Sequence, residues 1–180
     1  MTQQSKEKEV KSYPASAELA TTTDLTHQEV KAVTEAVNPL IADAFALYVK
    51  SKNFHWHLAG SHFRDFHLLF DEQADQIFDS IDVMAERVRK IGGTTIRSIG
   101  HISHLQTIED DNNDFVPAGE MIRRLLEDNG HIAKKIREAI DVCDRSRDSA
   151  TSNELQSILD QTERRKWFLF EISRGMKSTD

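Results

Sequence analysis

Residues 62–93 read HFRDFHLLFDEQADQIFDSIDVMAERVRKIGG, and the architecture follows from how this stretch begins and ends. It predicts one long helix, about 62 to 91, with Gly92-Gly93 standing where a left-handed C-cap belongs. Immediately upstream, Leu58-Ala59-Gly60-Ser61 breaks the pattern with a glycine. Before that break Val30, Val33, Val37, Ile41, Phe45, Leu47 and Tyr48 recur at helical spacing as far as Phe54, predicting a helix over about 26 to 57. Pro39 either kinks this helix or, with Asn38 as a cap, starts a second one. The pair then forms two antiparallel helices joined by a tight turn.

Downstream, residues 94–116 mix polar and apolar types without a long period, although 102–110 has room for two helical turns. The segment is too long for a hairpin loop and is expected to cross the bundle. Pro117 opens a third helix to about Arg145, and Thr151-Ser152-Asn153-Glu154 has the form of a capping box opening a fourth, to about Gly175. The expected fold class is therefore all-α, a ferritin-like four-helix bundle whose long middle crossover carries a short helix. The bundle is expected to span 26–175. Residues 1–25, polar and aperiodic with Ser12, Ser16, Thr21, Thr22 and Thr23, read as a flexible arm, and 176–180 as a short tail.

Composition agrees with one domain. The 180 residues are 38% apolar, enough for a single core, which excludes a collagen, a disulfide scaffold and a wholly disordered chain. A formal charge of −7 argues against a surface organised around a phosphate backbone and favours the attraction of cations. Cys143, alone, makes no internal disulfide; the start Met1-Thr2-Gln3-Gln4-Ser5-Lys6 lacks the apolar stretch of a secretory signal. No eighteen apolar residues run together, so no membrane span is expected and the reducing cytoplasm is the expected location.

The second helix carries His67, Asp71, Asp75, Asp82 and Glu86, which at about 100° per residue fall on one face. An isolated His-x-x-x-Asp on a helix surface is ordinarily a solvated pair; five such groups on one stripe are a candidate metal site. Asp71 and Asp82 nevertheless stand about 16 Å apart along the axis at the helical rise, while metal–oxygen bonds are about 2 Å. One helix cannot bring both to one ion. The spacing supplies a solution, because 67 and 86, and likewise 71 and 82, lie symmetrically about the point between Gln76 and Ile77. Two copies of this helix packed antiparallel about a two-fold axis there set His67 against Glu86 of the other copy and Asp71 against Asp82, creating two equivalent sites about 22 Å apart. His55 joins them, since a hairpin turning at Gly60 or Ser61 brings 55 beside 67. Two imidazoles and three carboxylates, without thiolate, suit ferrous iron, with zinc as a competitor. Trp56 places an oxidisable indole next to that iron.

Taken together, Asn53-Phe54-His55-Trp56-His57, Gly60, His67, Asp71, Asp82 and Met84-Ala85-Glu86-Arg87 with Gly92-Gly93 closely resemble the Dps family, the miniferritins called DNA-binding protein from starved cells, over about residues 26–175. The resemblance implies a dodecameric hollow shell built from two-fold dimers that oxidises Fe(II), commonly with hydrogen peroxide, at ferroxidase centres between subunits and stores Fe(III) mineral, sparing DNA from oxidative damage. It implies that His55, His67 and Asp71 come from one subunit, and Asp82 and Glu86 from its partner. It also implies DNA binding through a lysine-rich arm and nucleoid association, which Lys6, Lys8 and Lys11 set against Glu7 and Glu9 support weakly.

Other residues read as ordinary structure. His57 and His62 are expected to cap helix ends or face solvent, and His101 and His104 to lie in a polar connection. Asp110 to Met121 fails as a calcium loop, with Phe115 where glycine is needed and Met121 where a bidentate Glu belongs. Trp167, Phe168 and Phe170 are expected in the core. Asp75 and Asp79 keep the interface wet or pass iron along, and Asp141, Asp144 and Asp148 form either an acidic pore or a solvated helix end. Two rivals remain: a self-contained di-iron bundle, which needs Glu-x-x-His pairs that this sequence lacks, and a nucleoid-compacting protein with little redox role.

Overall fold

Thr26 and Glu29 close a capping box: the Thr26 hydroxyl accepts from the Glu29 N–H at 3.3 Å and the Glu29 carboxylate accepts from the Thr26 N–H at 2.7 Å. This starts α1 (His27–His57), which runs through Pro39 as one helix. The computed structural model describes residues 17–176. Four further helices follow: α2 (Phe63–Lys90), α3 (Ile99–Leu105), α4 (Ala118–Arg145) and α5 (Ser149–Ser173). The described chain contains no strand, and the fold is the all-α, ferritin-like bundle.

Two glycines make the connections. Gly60, with φ +119°, turns the chain between α1 and α2, and Gly92, with φ +91°, ends α2 in the left-handed region that side chains disfavour. At Gly93 the backbone lies so close to α1 that a Cβ would run into the Thr34 hydroxyl.

Around the bundle the order is α2, α1, α4, α5 and back to α2. Every neighbouring pair is antiparallel, as the ties between them show. His55 meets His67 at one end of the α1–α2 pair, while Asn38 donates to the Thr94 carbonyl at the other. Lys50 pairs with Asp128 at 2.7 Å and Arg147 with Glu29 at 3.2 Å along α1 and α4. Arg87 on α2 reaches Asp148 at the start of α5 at 3.0 Å. Val37, Ile41, Phe54, Phe70, Leu125 and Leu169 lie in the shared core. By length and composition α1 would suffice to cross a membrane, yet its Val33, Val37, Leu40, Ile41, Leu47 and Phe54 are buried between helices of the bundle.

Four expectations need correction. The short crossover helix is Ile99–Leu105, capped by Ser98, rather than 102–110, because Asp43 of α1 accepts from the N–H groups of Thr107 and Ile108 and holds that backbone outside a helix. The fourth long helix starts at Ser149, not at Thr151: Asp148 caps it by accepting from the Thr151 N–H at 3.0 Å. Trp167, Phe168 and Phe170 are exposed, 61%, 41% and 49%, because Leu155, Ile158, Thr162, Arg165 and Leu169 form the inward stripe of α5 and turn the other aromatics outward. Finally, residues 17–25 do not run free. Arg89 donates to the Leu19 carbonyl at 2.9 Å, Thr21 donates to the Arg89 carbonyl at 3.3 Å, and Leu25 packs against the core. The rest of the expected arm, with Lys6, Lys8 and Lys11, and residues 177–180 of the tail lie outside the described residues.

Candidate metal centre

The α1–α2 turn sets the register that brings His55 and His67 together. Their rings stack with centroids 3.7 Å apart and planes inclined by 20°. Each donates its Nδ1–H to the other's backbone carbonyl, at 2.7 Å from His55 and 3.0 Å from His67. A carbonyl only accepts, so both protons sit on Nδ1 and both Nε2 lone pairs are left for a Lewis acid. Phe63, one turn before His67, stacks on its outer side at 5.0 Å. His55 Nε2 stands 3.8 Å from Asp71 Oδ1, which sets one carboxylate beside the imidazole pair.

Lys52, a residue the sequence reading did not single out, also reaches this cluster. Its ammonium donates to Asp71 and lies 3.6 Å from Asp75. The Lys52 hydrogen bond holds the Asp71 carboxyl below the usual carboxylate range, and the same bond raises the Lys52 ammonium. A positive charge thus already faces Asp71, where an incoming cation would sit. The available signal was its position one turn before His55 on α1.

Asp82 and Glu86 do not join this cluster within one protomer. Both are exposed on α2; Glu86 pairs with Lys90 at 2.9 Å, and Asp82 borders an apolar groove of about 760 Å³ formed with Phe45, Phe78, Ile96 and Ile99. Among the described residues no three His, Cys, Asp or Glu side chains are grouped closely enough to hold a metal ion. Between the two half-sets, Phe78 is 51% exposed, with its ring 5.1 Å from Tyr48. Trp56, beside His55, is 66% exposed. The stripe from His67 to Glu86 is therefore an outward face carrying apolar residues among carboxylates.

The buried interior offers no replacement for that stripe. Asp43 is committed to the crossover, Asp148 to the α5 cap and Arg87, and Asp111 to Arg124. Where α2, α4 and α5 face one another, the buried polar groups are Gln73, Asn129, Thr162 and Arg165, a cationic set that would repel ferrous iron.

His57 is exposed with Nδ1 on the Asn53 carbonyl at 2.9 Å, and His62 is exposed before α2 with its ring tilted against Phe66 at 5.5 Å. His101 and His104 lie on α3, the short helix of the crossover connection, with His101 Nδ1 buried and unpartnered among the described residues. Asp75 and Asp79 are exposed. Asp148 is buried and capping, which separates it from the exposed Asp141 and Asp144 and removes it from any solvated acidic cluster.

Residues 34–177 match the model of the ferritin-like domain, so the bundle is that of a ferritin-like protein. Over 133 residues the chain is 32% identical to the DNA protection during starvation protein of Brevibacillus brevis, covering 74% of this chain and 89% of that one. It is 30% identical over 152 residues to an uncharacterized low temperature-induced protein of Nostoc, covering 84% and 85%. DpsC from Streptomyces coelicolor superposes with a TM-score of 0.81 at 28% identity, covering 84% and 88%. The chain belongs to the Dps family.

Proposed function

We propose that this protein oxidises ferrous iron, with hydrogen peroxide as the oxidant, at sites shared between two copies of the chain, and stores the ferric product inside a dodecameric shell in the cytoplasm. The observation that carries this reading is the half-site of α1 and α2. His55 and His67 have their Nδ1 protons held by carbonyls and their Nε2 lone pairs free, beside Asp71. Iron is the substrate here. A neighbouring copy related by a two-fold axis near Gln76 supplies Asp82 and Glu86, completing two nitrogen and three oxygen ligands.

In this reading the chain's residues do little beyond positioning. The two carbonyls fix the imidazole tautomers, and Phe63 and the ring stack fix their planes. Lys52 leaves Asp71 as the metal cation enters, exchanging one positive charge for another. Peroxide takes one electron from each of two ferrous ions and, with two protons, leaves as two waters. Removing both reactants denies the cell the hydroxyl radicals they would form, which protects DNA without requiring that DNA be bound. Zinc, with its affinity for the same ligands, competes.

The test is stopped-flow oxidation of ferrous iron by peroxide, followed beside tryptophan emission and with a gel-shift titration on DNA. Wild-type protein is expected to oxidise iron far faster than buffer and to lose the Trp56 share of its emission on ferrous addition, Trp167 keeping its own, with His67→Ala and Asp82→Ala abolishing both effects. Retarded DNA with oxidation no faster than buffer would instead assign the protein to nucleoid compaction.

A further inference from the structure

Arg165 is 4% exposed and has no carboxylate partner among the described residues. Its Nε–H donates to Asn129 Oδ1 at 3.0 Å and one Nη2–H to Thr162 Oγ1 at 2.8 Å. Both acceptors are themselves fixed, Asn129 by donating to the Leu125 carbonyl and Thr162 by donating to the Ile158 carbonyl, each at 2.8 Å. A guanidinium has five N–H donors, so the others find no protein acceptor. Burial pushes this guanidinium down to about 10, which still leaves it charged at neutral pH. A buried charge without a counter-charge is among the more costly features a core can hold.

Arg165 lines a cavity of about 30 Å³ between α2 and α5. Gln73, 3% exposed, lines the same space and makes no hydrogen bond from its side chain among the described residues. Arg164 and Phe168 stand at the mouth, with the Arg164 guanidinium 5.5 Å from the Phe168 ring. Glu72, the carboxylate at the rim, accepts from Gln76 at 3.1 Å and is not paired with either arginine. The space admits a water or a monatomic ion and is too small for phosphate or sulfate. Its lining is a buried cation, an amide donor and a second cation at the entrance.

We infer that this cavity is a binding site for a small monovalent anion of halide type, held between the Arg165 guanidinium and the Gln73 amide inside the bundle. The bound anion neutralises the buried charge and ties α2 to α5 at a level where the described residues place no ion pair between them. The site is independent of the iron chemistry at the α1–α2 face.

Crystals of the full chain grown in sodium bromide and measured at the bromine edge test this directly. An anomalous peak between Gln73 and Arg165 is expected, and it should vanish in Gln73→Leu, which removes the amide and keeps the guanidinium. In solution the melting temperature of the wild type should rise saturably with chloride or bromide, but not with gluconate at equal sodium, and this difference should disappear in Gln73→Leu. Water alone in the cavity, or a halide effect undiminished in Gln73→Leu, would overturn the inference, as would anomalous peaks confined to surface arginines and lysines, an adventitious ion only.

Discussion

Co-expression of His67→Ala with Asp82→Ala separates a shared site from a private one by number. Asp82 is exposed and His67 half-buried, outside the core cluster, so both variants are expected to fold. Each alone lacks one ligand at every site, and no side chain of the same protomer stands close enough to replace it, Asp71 and Asp82 being about 16 Å apart along α2. In a mixed two-fold dimer, one seam carries both defects and the other carries neither. With random pairing half of the dimers are mixed, so about a quarter of all sites are intact by two-fold counting. Peroxide-driven ferrous oxidation by the co-purified oligomer should therefore recover to about a quarter of the wild-type rate, against near zero for either variant alone. Native mass spectrometry establishes that mixed particles formed. If they did and the rate stayed at the single-variant level, the site would lie within one chain and the reasoning would fail.

Three further outcomes follow from the same geometry. Phe78→Arg should dissociate the assembly while leaving helicity intact, as read by size exclusion and circular dichroism, because burying the exposed half of that ring contributes about 1 kcal/mol per copy and the substitution adds a charge to desolvate. Asp43→Ala should cost about 3 kcal/mol in urea unfolding by orphaning the N–H groups of Thr107 and Ile108, with no change in the ligands of the proposed iron site. Glu120 is held at about 2, below its usual 4.5, chiefly by hydrogen bonds from Arg123 and then Arg124. Its lowered value stabilises the fold above pH about 4.5 and stops doing so as pH falls towards 2, so Glu120→Gln should flatten acid unfolding in that window while leaving the slope near neutrality unchanged.

Much of this was legible in the chain because helical spacing and glycine turns act locally. Gly60 and Gly92 mark both ends of α2, and the hairpin they define brings His55 beside His67, as counting residues from the turn predicts. What local reading missed depends on partners distant in sequence. Asp43 takes the N–H groups of Thr107 and Ile108 and so ends α3 early, and Arg89 ties down residues 19 to 21. Trp167, Phe168 and Phe170 looked like core because they are large and apolar, yet Arg165 and Thr162 occupy the inward stripe and displace them. Lys52 escaped notice because an ordinary lysine becomes informative only when Asp71 is seen across the helix pair. The partner half of the proposed iron site rests on symmetry in the numbering, and the structure leaves Asp82, Glu86 and Phe78 exposed on α2.

The decisive measurement is iron-edge anomalous diffraction from crystals of the native oligomer soaked anaerobically in ferrous salt. The account predicts density bounded by His55, His67 and Asp71 of one protomer and by Asp82 and Glu86 of the partner subunit. Iron enclosed by a single protomer, or absent wherever two α2 helices meet, would contradict it.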